Sequence, residues 1–172
     1  MSFARSKGHS LENPQLIDLP QVAPPAPETN FEDLYYKLVN GLSQGHEDTV
    51  RSILISKWMS GEPLANIFDT LLAPAFSSIG HQWKSNELEI YEERRAILML
   101  ERSFADMRRL VGPSKPNAPI AIGCTIEGDP YSLPTAMCEL TLRELGWNAQ
   151  NLGAWQPLKS MVQAIRNIQP RL

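Results

Sequence analysis

Two stretches of the chain carry indole, carboxylate, guanidinium and phenol groups, and what those groups can and cannot do bounds the chemistry. In the first, Trp83 is followed by the pair Glu93-Arg94. The second is Asp129-Pro130-Tyr131-Ser132, a carboxylate two positions before a phenol with a hydroxyl beside it. A carboxylate can accept hydrogen bonds and orient a neighbour. A phenol, with a reference pKa of about 10, stays protonated at neutral pH and is a poor metal donor. Arginine stays protonated and coordinates no metal. The histidines offer little more: His9 lies near the N-terminus, His46 at a helix start, and His81 two residues before Trp83, on another helix face. No glycine-rich phosphate loop, zinc-type cluster or Ser/His/Asp set occurs, so independent catalysis is not expected. Each residue also has a plainer role. Asp129 could cap a helix beginning at Pro130 or Tyr131. The run Glu92-Glu93-Arg94-Arg95 could be a salt-bridged helix face, and Trp83 a core side chain.

The elements that must position these residues follow from periodicity. Residues 1–30 have no apolar period and carry Pro14, Pro20, Pro24, Pro25 and Pro27, which predicts an extended, disordered tail. From Thr29 or Asn30, either a suitable cap, Phe31, Leu34, Tyr35, Leu38, Val39 and Leu42 follow three-four spacing up to Gly45. A second helix is expected from His46 to Gly61, inward at Val50, Ile53, Leu54 and Trp58. A third starts at Pro63, inward at Leu64, Ile67, Phe68, Leu71 and Leu72, with Pro74 disturbing it. A break at Lys84-Ser85-Asn86 precedes a fourth helix, Ile90 to Val111, whose apolar stripe is Ala96, Ile97, Leu100, Phe104, Met107 and Leu110. Four amphipathic helices with short connections predict a four-helix bundle over 31–111.

Residues 112–119 carry three prolines and read as a linker. The period then changes. Ile120 to Thr125 is a continuous apolar run of the kind found in a buried parallel strand. Tyr131 to Leu145 reads as a helix closed by Gly146, Trp147 to Leu152 as a second strand, and Pro157 to Ile168 as a second helix. Strand, helix, strand, helix over 120–172 is the first half of a doubly wound, Rossmann-like parallel sheet. The expected fold class is therefore α plus α/β.

Composition narrows the function. With 172 residues, a formal net charge of −3 and 42% hydrophobic content, the chain suits two small units with a real core. Slight acidity, with pI ≈ 5.6, argues against a general nucleic-acid binder. No apolar run approaches the roughly 20 residues of a membrane helix, and the N-terminus lacks a signal-type apolar core. Cys124 and Cys138 stand in apolar surroundings without metal-ligand spacing. Both read as buried thiols in a reducing, cytoplasmic setting.

Residues 31–170 resemble the cobalamin-binding family that includes methionine synthase, corrinoid methyltransferase proteins and the B12-dependent light-sensing repressors. One carrier of the likeness is Ile79-Gly-His-Gln-Trp83 followed by Asn86-Glu-Leu-Glu-Ile-Tyr-Glu-Glu93-Arg94. Family members have a Trp, a turn glycine and then a Glu-His pair. Here Trp83 and Glu93 match, Asn86 replaces the glycine and Arg94 the histidine. The other is Ala121-Ile-Gly-Cys-Thr-Ile-Glu-Gly-Asp129-Pro-Tyr131-Ser132-Leu-Pro134, similar to the family's Asp-x-His-x-x-Gly loop. Asp129 matches, Tyr131 replaces the cobalt-binding histidine and Pro134 the glycine.

The resemblance implies a helical cap followed by a flavodoxin-like sheet. It implies cobalamin as the cofactor, with Trp83, Glu93, Arg94, Asp129, Tyr131 and Ser132 lining its place and no protein ligand to the metal. The function so implied is a non-catalytic sensory or regulatory module, with the corrinoid bound base-on or the ligand lost and protein contacts retained. A corrinoid carrier subunit of a methyltransferase is the first alternative. A haem-binding module is the second, since tyrosinate can ligate haem iron, and a ligand-free interaction module is the third. The repressors' winged helix has no counterpart before Phe31, so a protein partner or second copy is expected in place of direct DNA contact.

Overall fold

The computed structural model describes residues 30–172; the proline-rich leader before Asn30, His9 included, lies outside the described residues. The chain divides into two compact units, one ending at Ser103 and the other beginning at Phe104. Among the described residues helices predominate, with one parallel strand pair, an α plus α/β composition.

In the first unit, α1 (Phe31–Gln44) starts where Asn30 Oδ1 accepts the Glu32 N–H at 3.4 Å. Glu32 and Asp33 place negative charge at the positive end of its dipole. Gly45, at φ 82, ends it. Helix α2 (Glu47–Met59) begins one residue after the expected start, because His46 is its cap residue and makes no side-chain cap bond. Beyond Pro63, α3 (Leu64–Asn66) passes into a π-helical stretch (Ile67–Leu72) and then α4 (Ala73–Lys84). The disturbance expected at Pro74 is therefore a widened turn just before it, with the chain helical throughout. Proline has no N–H to give and crowds the carbonyl one turn back, and a π turn relieves both demands. Asn86, at φ 60, takes the left-handed conformation for which a turn glycine is otherwise used. Helix α5 (Ile90–Val111) is opened by Glu92, whose Oε2 accepts the Glu89 N–H at 2.9 Å, one half of a capping box.

Most expected inward positions, joined by Ala75 and Ile79, form the core of this unit, while Leu34, Tyr35 and Val39 are half-buried. Leu38, Leu42, Val50, Leu54, Leu64, Ile67, Ala75, Ile79 and Ala96 have no accessible surface. Met99, absent from the predicted stripe, is buried, while Ile97 is only half-buried. Phe31, on the first turn of α1, is exposed.

In the second unit, β1 (Ile120–Gly123) pairs in parallel with β2 (Asn148–Asn151), in the register Ile120↔Asn148 to Gly123↔Asn151. Helix α6 (Leu133–Glu144) joins the strands and α7 (Leu158–Ile168) follows β2. Gly146, at φ 91, turns α6 into β2. The strands are shorter than the apolar runs suggest, and Ala121 and Ala149 are their only residues buried outright. β1 is bonded along both edges. Pro119 O and Gly123 O accept from Asn148 N–H and Leu152 N–H, whereas Ile120 O accepts from Arg171 N–H at 2.8 Å and Ile122 N–H donates to Leu172 O at 2.9 Å. Successive peptide groups of a strand face opposite ways, so residues 171–172 lie along the edge away from β2. Glu139, largely buried, ties α6 to the end of α5, its Oε1 accepting from Arg108 Nε at 2.9 Å and Arg143 Nε at 3.0 Å.

Candidate functional site

In a parallel sheet the loops leaving the carboxyl ends of the strands are the usual ligand-binding place. Here the two such loops are stitched together. Past Gly123 the chain keeps alongside the run after β2: Thr125 N–H donates to Gly153 O at 3.2 Å, Gln156 N–H to Thr125 O at 2.9 Å, and Glu127 N–H to Gln156 O at 3.2 Å. Ile126 and Gln156 form an isolated parallel bridge.

Thr125 is the fastener. It is 8% exposed, and its hydroxyl donates to Asp129 O at 2.6 Å while accepting the Trp155 N–H at 3.3 Å. A buried hydroxyl satisfied on both sides holds two loops in one arrangement. The second loop has its own ties. Asn151 Oδ1 accepts Gly153 N–H at 2.9 Å, and Gln156 Nε2 donates to Leu152 O at 2.8 Å. The backbone is bent hard in this stretch: Gly153 has φ 85 and Trp155 φ 59. A left-handed conformation suits glycine and costs any other L-residue roughly 1–2 kcal/mol. The side chain carried at that cost is 54% exposed. Ile126 and Tyr131, on the neighbouring loop, are also exposed, Tyr131 by 61%.

Asp129 does not cap α6, as the sequence suggested it could. The helix begins at Leu133, with Ser132 as its cap residue and no side-chain cap bond. The expected start at Tyr131 is thus two residues early. Pro134 takes an early helical position, where a missing N–H costs nothing. Asp129 Oδ1 instead accepts the Tyr131 N–H at 3.0 Å, closing a small turn before the helix.

Trp83, Glu93 and Arg94 lie in the first unit. Trp83 is 41% exposed in the last turn of α4 and is not a core side chain; Trp58 fills that role. Glu93 and Arg94 occupy the first turns of α5. Arg94 is 71% exposed, its Nε 4.0 Å from Glu93 Oε2. Arg95 is the residue engaged most deeply. Its Nη2 donates to Ser43 O at 2.6 Å, at the negative end of α1, and its guanidinium lies 5.9 Å from the Tyr91 ring centre. Gly45 leaves room for it, since a Cβ there would stand 2.7 Å from Arg95 Nε. His81 faces solvent, with Nδ1 2.7 Å from Ser77 O one turn back.

Both cysteines were expected to be buried. Cys124 is half-buried, its Sγ 3.5 Å from Met161 Sδ, and Cys138 is exposed. The side of α6 turned inward carries Leu133 and Leu140, and Cys138 falls off that stripe. Among the described residues no group of three or more His, Cys, Asp and Glu could hold a metal ion, and no helix is long and apolar enough to cross a membrane.

Sequence reasoning missed Thr125, Ile126 and Trp155. The available signal was the bracket Gly153-Ala-Trp155-Gln-Pro157, a Trp between two turn formers.

No family model matches the chain, and no curated protein matches its sequence. Among solved structures it is similar to the methanol:cobalamin methyltransferase complex of Methanosarcina barkeri, at 16% identity and a TM-score of 0.45 over 99% of this chain and 66% of that one. It is also similar to a cobalamin-binding protein of Desulfitobacterium hafniense, at 14% identity and a TM-score of 0.40 over 83% of this chain and 66% of that one. The chain spans just under two thirds of each neighbour's length, and superpositions at that level assign it neither activity nor ligand.

Proposed function

We propose that this chain is a non-catalytic, regulatory module of the cobalamin-binding type, taking a corrinoid at the carboxyl edge of β1–β2 without a histidine from the protein. One observation carries the reading. At the loop where the resemblance places a carboxylate orienting a metal-binding imidazole, the Asp129 carboxylate is engaged by the Tyr131 N–H and the exposed side chain beside it is a phenol. The sequence has no histidine after His81. What the edge offers is apolar and aromatic surface, which fits the face of a large ring and not its metal. The corrinoid would keep its own base as the lower ligand and supply the visible chromophore.

The backbone order supports the same reading. With β2 on one edge of β1 and residues 171–172 on the other, the sequence of neighbours follows the flavodoxin-like pattern. The exposed Leu158, Val162 and Ile165 of α7 support a protein partner as the means of output. Trp83, Glu93 and Arg94 of the first unit are proposed as further corrinoid contacts, and Ser132 beside Tyr131 as another.

The test is uptake of hydroxocobalamin and methylcobalamin by the full chain, read as a visible spectrum after free corrinoid is removed. A retained, base-on spectrum is expected, and Tyr131→His should tighten binding. Absence of any retained corrin would overturn the function, and a histidine-ligated, base-off spectrum would overturn the ligation. Methyl transfer from bound methylcobalamin to a thiol would favour the carrier subunit.

A further inference from the structure

We infer that Trp155 is a ligand-contacting residue, the main element of a ring-stacking platform completed by Ile126 and Tyr131 at the carboxyl edge of β1–β2. This rests on the reading above and names the surface that the ring would meet. Trp155 breaks two rules at once. Its backbone takes the left-handed conformation, at φ 59, where glycine or asparagine would be unstrained. Its indole, the largest apolar side chain available, is more than half exposed. A side chain left more than half exposed gives the fold little return for that strain. The neighbouring backbone is nevertheless held tightly, by the Trp155 N–H to Thr125 Oγ1 bond at 3.3 Å and by Gln156 N–H to Thr125 O at 2.9 Å.

The same Thr125 hydroxyl reaches Asp129 O, and Asp129 in turn fixes the Tyr131 backbone. Ile126 is bridged to Gln156, next to Trp155. Three exposed, bulky residues are thus mounted on one cross-linked pair of loops, at the edge where parallel sheets receive ligands. Little charge accompanies them: Glu127 and Asp129 are the nearby acids, and the latter is engaged with backbone. Such a surface favours a broad, largely apolar ring face over a phosphate or a small anion.

The experiment compares the full-length wild type with Trp155→Asn and Trp155→Phe, measuring retention of hydroxocobalamin, with protoporphyrin IX as a second ring probe, alongside the thermal midpoint. Asparagine tolerates the backbone and removes the indole. Trp155→Asn should therefore keep or raise the midpoint while weakening ring binding about tenfold or more, and Trp155→Phe should stay within about threefold of wild type. A structural role alone would move the midpoint and leave binding in place. If wild type binds hydroxocobalamin and Trp155→Asn binds it within about twofold, the inference fails and the proposed function stands. If wild type takes up protoporphyrin IX but no corrinoid, the function falls while the Trp155 comparison still decides the platform. Uptake of neither ring overturns both.

Discussion

The two units hold themselves together by different means. The one ending at Ser103 is built on side chains: a set of Leu, Ile, Val and Ala positions with no accessible surface, drawn from every helix in it. The one beginning at Phe104 buries far fewer apolar groups outright. It relies on backbone bonds along both edges of β1, on the Thr125 hydroxyl and on the Glu139 carboxylate. Both units leave large apolar side chains exposed, Phe31, Tyr36, Met59, Trp83, Ile90, Tyr91 and Leu98 in the first and Ile126, Tyr131, Leu145, Trp155, Leu158, Val162 and Ile165 in the second, but only the second mounts some of them on hydrogen-bonded loops. A packed core is a poor place for recognition, because every side chain is already spent on a neighbour. Loops fixed by hydrogen bonds can keep large side chains free, and that is where binding surface accumulates.

The sharpest way to break this contrast is truncation. Leu54→Ala, at a site with no accessible surface, should cost about 3–5 kcal/mol through lost burial and a cavity. Ile165→Ala on α7 should stay within about 0.5–1 kcal/mol. Equal shifts in urea midpoint for the two would show that α7 is covered, contrary to its exposure.

Gly45→Ala should come next, at about 2–3 kcal/mol, because the new Cβ meets a positive φ and the Arg95 guanidinium together. Adding Arg95→Ala should recover part of the loss relative to that single change, leaving the strain. A purely additive double variant would separate Gly45 from Arg95.

In the second unit Glu139→Gln should cost about 2 kcal/mol, since it leaves the largely buried Arg143 without its carboxylate. Thr125→Val removes the hydroxyl that joins the two loops and should cost about 1–2 kcal/mol, with Thr125→Ser restoring most of it. Chemical denaturation followed by tryptophan emission measures both.

The smallest effect is electrostatic. Two hydrogen bonds from Arg102 to the Glu47 carboxylate hold it below its ordinary value of 4.5. A lowered native pKa adds stability above that value, and the gain is lost as pH falls through the shifted one. Glu47→Gln should therefore flatten the acid side of the stability–pH curve and change little at neutral pH, because the pair is exposed. A slope unchanged below 4.5 would assign the acid dependence to other carboxylates.

Much of the fold was legible because it is written in local interactions. Three-four spacing marked the helices of the first unit, Gly45 and Gly146 closed their helices, and Asn86 turned left-handed as a small polar residue can. The shift to continuous apolar runs marked β1, and α6 and α7 followed in order. Errors fell at element ends and in burial, where Cys138 proved exposed and Met99 rather than Ile97 proved buried. Tyr131 fell outside α6 because its N–H is taken by Asp129, a choice that helical periodicity does not reveal. At the candidate site Asp129 and Tyr131 were named through the resemblance, whereas Trp155 was not named at all.

What the sequence determined by itself is whatever a residue settles with neighbours within about one helical turn: caps, turns, the period of an apolar stripe, and the absence of any histidine near Tyr131. Only the tertiary structure decided that Arg95 meets Ser43 across 52 positions and that Thr125 meets Trp155 across 30. Contacts at such separations are selected by how whole elements pack, and no local pattern encodes them. Exposure is decided the same way. Trp58 and Trp83 are the same residue type on two helices of one unit, and the packing of that unit buries one and leaves the other partly in water.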